Sequence, residues 1–223
     1  CSGYLVRDGA TTLWLDAGNG TFANLQEHVA VEDLTAVVVT HLHPDHCVDL
    51  YSLHVYVRYG SDLSHLPVYA PPDAERLLGA LVSDWGDAFD WHTIDDGATA
   101  TLGELALRFS RTDHPPPTFA TELTGPDKRL VYTSDTGPGW SVEAFAPGAD
   151  AVLSEATYVH HDRPTPIHLS AREAGEAARA ARARRLVLTH LWPQIDPVTS
   201  IEEATESFGA PVTLAAPHLV VRI

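Results

Sequence analysis

The feature that most restricts this chain is a β-branched run that leads directly into a cluster of histidines. Residues 36–40 read Ala-Val-Val-Val-Thr, and residues 41–46 read His-Leu-His-Pro-Asp-His. A continuous β-branched run is typical of a strand that is buried on both faces of a sheet. Such a strand is a rigid support, and the loop after it projects four ligand-type side chains from one small region: His41, His43, Asp45 and His46.

This cluster predicts a metal site. Imidazole and carboxylate groups are good zinc ligands, and a protein-bound zinc ion normally takes four ligands in a tetrahedron. Four candidate ligands within six residues crowd a single tetrahedral ion, and dividing them between two ions is easier. We therefore expect two metal ions, with further ligands supplied by distant parts of the chain.

Other ligand-type residues follow runs that have the composition of strands, namely His114, Asp135 and His190. Taken alone, a histidine at a strand end is more often a hydrogen-bonded loop residue than a metal ligand. Together with the cluster at 41–46, however, these three residues supply the distant ligands that a two-metal site needs.

Predicted strands and helices alternate along the chain without a clean break. The most distinct helix is predicted over 170–184, where Ser170 is the N-cap and Glu173 completes a capping box. A strand is predicted over 99–110 and a helix over 72–83. The alternation predicts one α/β domain over residues 1–223, built from layers of sheet and helix.

The composition limits the compartment and the partners. Only two cysteines are present, Cys1 and Cys47, which excludes a disulfide scaffold and favours a reducing, cytoplasmic location. No apolar run approaches the length of a membrane span, so no membrane partner is expected. The formal net charge of −16 repels nucleic-acid backbones, and a small-molecule substrate is expected instead.

The block from Thr40 to His46, followed in order by His114, Asp135 and His190, resembles the signature of the metallo-β-lactamase superfamily. The resemblance implies an α/β fold of four layers, an αβ/βα sandwich. It also implies how two zinc ions are held. One zinc would be bound by His41, His43 and His114, the other by Asp45, His46 and His190, with Asp135 bridging the two.

The same resemblance bears on which metal is bound and on the N-terminal part of the sequence. The di-iron redox branch of the superfamily carries Glu at the position of His43, so this chain favours zinc hydrolysis, although His and Asp ligands also accept manganese or iron. Asp16, ahead of Gly18, resembles the structural first motif of the family. The family pattern implies a further strand ahead of Cys1, where the sequence starts without Met.

Two segments resemble the ribonuclease Z and small phosphodiesterase branch: Ser-Glu-Ala-Thr-Tyr at 154–158 and His-Leu-Ser-Ala at 168–171. By this resemblance Glu155 orients His168, and His168 is the general acid at the phosphate; Asp45 is counted with them as catalytic. Two cations turn a shared water into hydroxide at neutral pH, and a carboxylate-supported imidazole can protonate the leaving alkoxide. In a plainer interpretation, Glu155 and His168 only serve the ends of neighbouring helices.

The favoured function is therefore a di-zinc phosphodiesterase that acts on a small phosphodiester such as a cyclic nucleotide. A tRNA substrate is not expected, because tRNA-processing members carry a long arm between the positions of His114 and Asp135, and only twenty residues lie between them here. The alternative is hydrolysis of a lactone, a thioester or another carboxylic ester. A ribonuclease and a non-catalytic metal-binding protein are less favoured, and the family suggests a homodimer.

Three further features leave alternatives open. His160 and His161 belong either to a lid over the metals or to an exposed loop ahead of Pro164. Trp192 lies two residues after a candidate ligand and is a candidate pocket residue. The Gly-Asn-Gly sequence at 18–20 is a weak phosphate-binding motif, and a tight turn is the favoured interpretation.

Overall fold

Two β-sheets form the centre of the molecule, and the computed structural model describes residues 1–82, 84–162 and 167–223. The strands of the first sheet are β1 (Tyr4–Asp8), β2 (Thr11–Leu15), β3 (Ala36–Val38), β4 (Leu66–Ala70) and β5 (Phe89–Thr93). They lie side by side in chain order. β1 and β2 are antiparallel, whereas β2 to β5 are parallel.

The second sheet also follows chain order. Its strands are β6 (Thr99–Leu102), β7 (Leu105–Arg111), β8 (Phe119–Thr124), β9 (Arg129–Tyr132), β10 (Ala151–Glu155), β11 (Leu186–Thr189) and β12 (Thr213–Leu214). The strands from β6 to β9 are antiparallel, and those from β9 to β12 are parallel. Consequently β7, β9, β10 and β11 all run in the same direction.

Helices cover the outer face of each sheet. They are α1 (Thr21–Leu25), α2 (Pro44–Cys47), α3 (Leu50–Gly60), α4 (Ala74–Leu78), α5 (Val142–Phe145), α6 (Ala171–Ala180) and α7 (Pro197–Phe208). Apolar residues of α1, α3 and α4 pack on the first sheet, and those of α5, α6 and α7 pack on the second. Each described helix is too short or too polar to cross a lipid bilayer.

Alternating side chains divide the apolar interior into three clusters. In β2, Leu13 and Leu15 point between the sheets, where they join Phe109 of the second sheet in one buried cluster. Trp14 points the other way, into the cluster beneath the helices of the first sheet. A strand places successive side chains on opposite faces, so a strand buried on both faces connects two cores. The order helix, sheet, sheet, helix confirms the predicted αβ/βα sandwich.

The capping box of α6 is confirmed, because the Ser170 hydroxyl accepts from Glu173 N while the Glu173 carboxylate accepts from Ser170 N. The helix ends at Ala180, before the predicted end at 184. The strand predicted over 99–110 was wrong as one piece: it is the hairpin β6–β7, which turns at Gly103 with φ +59°. A left-handed φ of this kind suits glycine, which has no Cβ.

Two other differences come from short elements. The helix predicted over 72–83 is α4 followed by a 3₁₀ turn over Gly79–Leu81, and Ser83 lies outside the described residues. The sequence prediction did not include β5 or α7. The start of α7 does have a sequence signature: Asp196 caps Val198 N and Thr199 N, and Pro197 occupies the first turn.

Candidate metal centre

Strand ends from both sheets meet at one edge of the sandwich. Ser134, which follows β9, donates its hydroxyl to Thr40 Oγ1 after β3 at 2.7 Å, so the two sheets are joined there. The chain turns sharply as it leaves three strands, with φ of 58° at Asp16, 52° at Ser134 and 57° at His190. Left-handed backbone costs a non-glycine residue about 1–2 kcal/mol. Such strain is common where a fold aims side chains into a functional site.

The ligand-type side chains gather at this edge. Three groups have ligand atoms within 4.8 Å of one another: His41, His43, His114 and Asp135; Asp45, His46 and His190; and Asp135, His168 and His190. All seven residues predicted as metal ligands are therefore brought together, and His168 lies among them. Their binding of a metal stays a prediction.

The histidines of the first group are His41, His43 and His114. The distance from His43 Nδ1 is 3.1 Å to His41 Nε2 and 3.4 Å to His114 Nε2. His114 Nδ1 donates to the carbonyl of Ile167 at 2.9 Å, which leaves Nε2 directed at the other rings. Burial lowers the pKa of His41 well below its usual value and also lowers the pKa of His43. These shifts favour the neutral form of both rings at neutral pH.

In the second group, His46 is held by a buried carboxylate. Asp16 accepts from His46 Nδ1 at 2.7 Å, from the Tyr132 hydroxyl at 2.7 Å and from both the amide and the hydroxyl of Thr40. Burial disfavours a charged imidazole, but Asp16 and Asp135 outweigh it and raise the pKa of His46 to about 10. The Asp16 bond also fixes the ring so that Nε2 faces the cluster.

His190 and Asp45 complete the second group. His190 Nε2 lies 3.3 Å from Asp45 Oδ2, and this hydrogen bond lowers the pKa of the Asp45 carboxyl. The other ring nitrogen, Nδ1, lies 2.9 Å from the Thr157 hydroxyl. Although His190 is buried, Asp135 and Asp45 raise its pKa.

Asp135 lies between the two groups. Its Oδ2 is 3.5 Å from His41 Nε2 and 3.5 Å from His190 Nε2, and its Oδ1 is 3.4 Å from His46 Nε2. Burial alone would raise the pKa of this carboxyl, but His190, His46 and His41 reverse the effect and lower it well below its usual value. The position suits the bridging role that the resemblance implied.

Two orphaned atoms test whether these residues fit a metal. His46 Nε2 and Asp135 Oδ1 are buried and lie 3.4 Å apart as an ion pair, but neither has a well-formed hydrogen bond among the residues that the structure describes. A buried polar atom without a partner costs about 1–3 kcal/mol. An imidazole nitrogen and a carboxylate oxygen that face each other in this way are suitable ligands for one divalent cation. The donor set therefore fits the predicted metal centre.

The Glu155–His168 pair adjoins the cluster. His168 Nδ1 lies 3.0 Å and 3.2 Å from the two oxygens of Glu155. The same carboxylate accepts from Thr136 N, Leu169 N and the Thr157 hydroxyl. The N-cap of α6 is Ser170, so helix capping does not account for the position of Glu155. The predicted pairing is present; its catalytic role stays a prediction.

With this geometry established, comparison with known proteins is informative. Residues 11–191 match the family model of the beta-lactamase superfamily domain. This chain belongs to the beta-lactamase superfamily. The predicted resemblance is thereby confirmed, and the matched segment contains every candidate ligand.

Individual relatives of this superfamily member agree with that assignment. An uncharacterised Mycobacterium leprae protein is 38% identical over 223 residues, which cover 95% of this chain and 78% of the relative. Bacillus subtilis YhfI, named a probable metallo-hydrolase, is 32% identical over 198 residues, or 85% of this chain and 79% of YhfI. A Mycobacterium bovis ribonuclease Z is 29% identical over 229 residues, or 86% and 80% of the two chains.

Solved structures match over almost the whole chain. The crystal structure of YhfI, a metallo-beta-lactamase fold protein, superposes with a TM-score of 0.90 at 27% identity and covers 99% of this chain and 91% of its own. A diphosphatase of the PhnP family superposes with a TM-score of 0.78 at 17% identity, covering 99% and 83%. The second likeness shows the fold alone.

Sequence reasoning missed several residues of this superfamily site. Tyr132 and Thr157 hold other site residues through their hydroxyls, and Ile167 does so through its carbonyl. Thr157 had a detectable sign, because it lies two residues after Glu155 at the end of a strand. The carbonyl of Ile167 had none, since any residue carries one.

Gly18 is required by close backbone approach. A Cβ at this position would overlap the carbonyl oxygen of Asp45, and Ala17 N donates to His46 O at 2.6 Å. Thr21 N donates to Gly18 O at 3.0 Å, which fits the tight-turn interpretation of residues 18–20. The turn thus packs against the loop that carries Asp45 and His46.

Aromatic residues form a rim beside the centre. Trp192 is 48% exposed, its ring centroid lies 6.0 Å from that of Tyr158, and Tyr158 lies 5.9 Å from His168. His160 Nδ1 contacts Ser170 Oγ at 3.1 Å, and His161 is exposed. Residues 163–166, which include the prolines of the predicted lid, lie outside the described residues.

Proposed function

We propose that this protein is a metal-dependent hydrolase that uses two zinc ions to cleave a small phosphodiester such as a cyclic nucleotide. The observation that carries the proposal is the Glu155–His168 pair beside a complete His/Asp cluster. Membership of the superfamily and the similarity to a named metallo-hydrolase support the broader part, metal-dependent hydrolysis. The phosphodiester is the finer part.

The residues that would hold the ions follow from the ligand groups. His41, His43 and His114 would hold one ion, Asp45, His46 and His190 the other, and Asp135 would lie between them. Bound divalent ions supply Lewis acidity, which activates water and neutralises charge on a phosphoryl oxygen. Zinc suits this mixture of imidazoles and carboxylates, which manganese and iron also accept.

His168 would donate a proton to the leaving group. Its Nδ1 is engaged by Glu155, so Nε2 is the nitrogen left to face a substrate. An alkoxide leaves poorly unless it is protonated, and a positioned general acid typically contributes about 10²–10⁴-fold. Glu155 would contribute by orienting the ring.

A small substrate is favoured over tRNA. The net charge of −16 opposes a polyanion, whose binding depends on many cationic contacts. The interval between His114 and Asp135 is occupied by β8 and β9, which leaves little length for a long arm. The exposed Trp192 ring beside Tyr158 offers a surface on which a planar base could stack.

The test compares leaving groups. The protein is assayed with zinc or manganese on 2′,3′- and 3′,5′-cyclic nucleotides and on bis(p-nitrophenyl) phosphate. His168→Ala should lower kcat on a cyclic nucleotide about 10²–10⁴-fold, and much less on the nitrophenyl ester, because nitrophenolate leaves without a proton. His65→Ala, which breaks an exposed His–Asp pair, is the matched control.

Two results would oppose the proposal. If no phosphodiester is turned over while a lactone, thioester or carboxylic ester is hydrolysed, the ester alternative replaces it. If metal analysis finds fewer than two ions per chain, the two-zinc assignment is wrong.

The rim has its own test. Trp192→Ala should raise KM for a cyclic nucleotide about tenfold, since stacking of one base is worth about 1–3 kcal/mol. KM for an aliphatic cyclic phosphodiester such as glycerol 1,2-cyclic phosphate should stay unchanged. Equal changes on both substrates would exclude stacking at this ring.

Organisation and location are also proposed. Because the cluster draws on both sheets, we propose that residues 1–223 form one domain. Cys1 and Cys47 are both free thiols, which agrees with a reducing, cytoplasmic location.

A further inference from the structure

Thr157 lies between the two functional parts of the centre. It follows β10, and its side chain is completely buried. Its hydroxyl oxygen is 2.7 Å from Glu155 Oε2 and 2.9 Å from His190 Nδ1. One hydroxyl therefore joins the carboxylate that orients His168 to a candidate metal ligand.

The direction of each hydrogen bond can be assigned. Glu155 receives the His168 ring, the amides of Thr136 and Leu169 and the Thr157 hydroxyl. The Thr157 hydroxyl donates to Glu155 Oε2, and a hydroxyl has only one proton to give. Its oxygen then has only lone pairs left for His190, and Nδ1 of that ring must be the donor.

We propose that Thr157 is a positioning residue that keeps the proton of His190 on Nδ1, reserves Nε2 for a metal ion and ties this ligand to the carboxylate that orients His168. The proposal rests on the metal centre of the proposed function and does not depend on the substrate. His190 Nε2 is the nitrogen that lies near Asp45 and Asp135, on the side where an ion would be held.

The backbone of Thr157 has a separate task. Its carbonyl accepts from Trp192 N at 3.1 Å, and this bond holds the loop after β11 whatever the side chain is. Replacing the hydroxyl by a methyl group keeps the backbone and nearly the same volume. Thr157→Val therefore removes the proposed function of the side chain without removing the loop contact.

The experiment measures zinc binding and ring protonation directly. Zinc affinity of the metal-free protein is determined by competition with a chelator, and the ¹⁵N shifts of the histidine rings report which nitrogen carries the proton. Thr157→Val should weaken one of the two zinc sites about 10–100-fold, the usual effect of losing an outer-shell partner. The Nδ1–H signal of His190 should be lost or exchange rapidly in this variant.

Two further variants make the result specific. Thr157→Ser restores the hydroxyl and should bind zinc within about threefold of the wild type, because an outer-shell donor acts through the hydroxyl alone. Thr121→Val is the matched control: it removes another buried hydroxyl, one that has no hydrogen-bond partner among the described residues, and zinc affinity should not change.

The contrary results are equally definite. Unchanged zinc affinity and an unchanged His190 signal in Thr157→Val would overturn the proposal, as would equal losses in Thr157→Val and Thr157→Ser. If Thr157→Val does not fold, Thr157→Ala is compared with Thr157→Ser in the same way. Because neither readout uses a substrate, absence of phosphodiesterase activity would reject the proposed function and leave this test intact.

Discussion

The two ligand groups of the centre differ in the residues that support their rings from outside. His41 Nδ1 contacts the Thr40 hydroxyl, which itself donates to Asp16, and His114 Nδ1 donates to the carbonyl of Ile167. Behind His46 lies the carboxylate of Asp16, and behind His190 lies Glu155, reached through Thr157. Among these contacts, a carboxylate touches a ligand ring directly only at His46, in the second group.

The pKa shifts of the two groups also differ, and Asp135 within the centre contributes to them as well as the outer supports. Burial lowers the pKa of His41 and His43, whereas carboxylates raise the pKa of His46 and His190 despite burial. A metal ligand must be deprotonated, so we expect an ion entering the second group to displace protons from His46 and His190, whereas the lowered pKa values of His41 and His43 favour rings that are already neutral. Carboxylate support also makes an imidazole a stronger ligand. We expect a pH-sensitive second site that is tight once deprotonated, and a less pH-sensitive first site.

The largest effect is expected from Asp16→Asn, which removes the charge that His46 contacts directly. Zinc affinity of the second group should fall about 100-fold, so that one ion per chain remains at a zinc concentration that saturates the wild type. Metal analysis after equilibrium dialysis measures this. Asp90→Asn, which alters an exposed Asp–His pair with His65, should retain both ions; equal loss of both ions in Asp16→Asn would erase the distinction between the groups.

The second-largest difference is expected in how zinc affinity at the two sites depends on pH. The pKa of His46 is raised to about 10, so between pH 8 and pH 7 this ring must lose a proton to bind zinc. Affinity at the second site should fall about tenfold per pH unit for each displaced proton as the pH decreases. The first site should change little, because its two lowered pKa values keep the rings neutral. Chelator competition at both pH values, with proton release followed by an indicator, checks this; two parallel curves would contradict it.

Gly18→Ala should act on the second group through the backbone. The new Cβ overlaps the Asp45 carbonyl and must displace the loop that carries Asp45 and His46. Such overpacking costs about 1–3 kcal/mol in unfolding free energy, and second-site zinc affinity should fall with it. Gly60→Ala meets only an ordinary contact with Tyr56 and should change neither quantity. Denaturant unfolding and zinc competition give the two readouts; wild-type values for Gly18→Ala would remove the role assigned to this glycine.

Tyr132→Phe should give the smallest effect, because Asp16 keeps its bonds to Thr40 and His46. Loss of one buried hydrogen bond lowers the free energy of unfolding by about 0.5–1.5 kcal/mol. Second-site zinc affinity should fall only a few-fold. In Tyr51→Phe, which loses a hydroxyl bonded to the Leu78 carbonyl at 2.8 Å, stability should fall while zinc affinity stays constant. A zinc effect in both variants would mean that it reflects general loosening.

Prediction from sequence was strongest where a pattern is local. The β-branched run and the cluster at 41–46 lie within eleven residues, so a strand and a multi-ligand loop follow from short-range chemistry. The capping box of α6 was equally clear, since both partners lie within one helical turn. Elements with weaker patterns, such as β5, were missed because their placement depends on pairing with β4.

The supporting residues could not be predicted in the same way. Asp16 and Tyr132 are 116 positions apart, yet they share a hydrogen bond. The bond between Thr157 and His190 likewise joins separate strands. Such contacts depend on which strands become neighbours and how the chain turns as it leaves them.

The sequence by itself determined the family, the layered α/β fold and the set of residues that could bind metal, because residue type and order encode those properties. Only the tertiary structure decided which ligand ring contacts an outer carboxylate directly and which contacts a hydroxyl or a carbonyl. These contacts form where the two sheets pack together at one edge. Burial there lowers the local dielectric constant and strengthens each electrostatic interaction. The cluster at 41–46 therefore supplies similar imidazoles to both groups, and the fold shifts their pKa values in opposite directions.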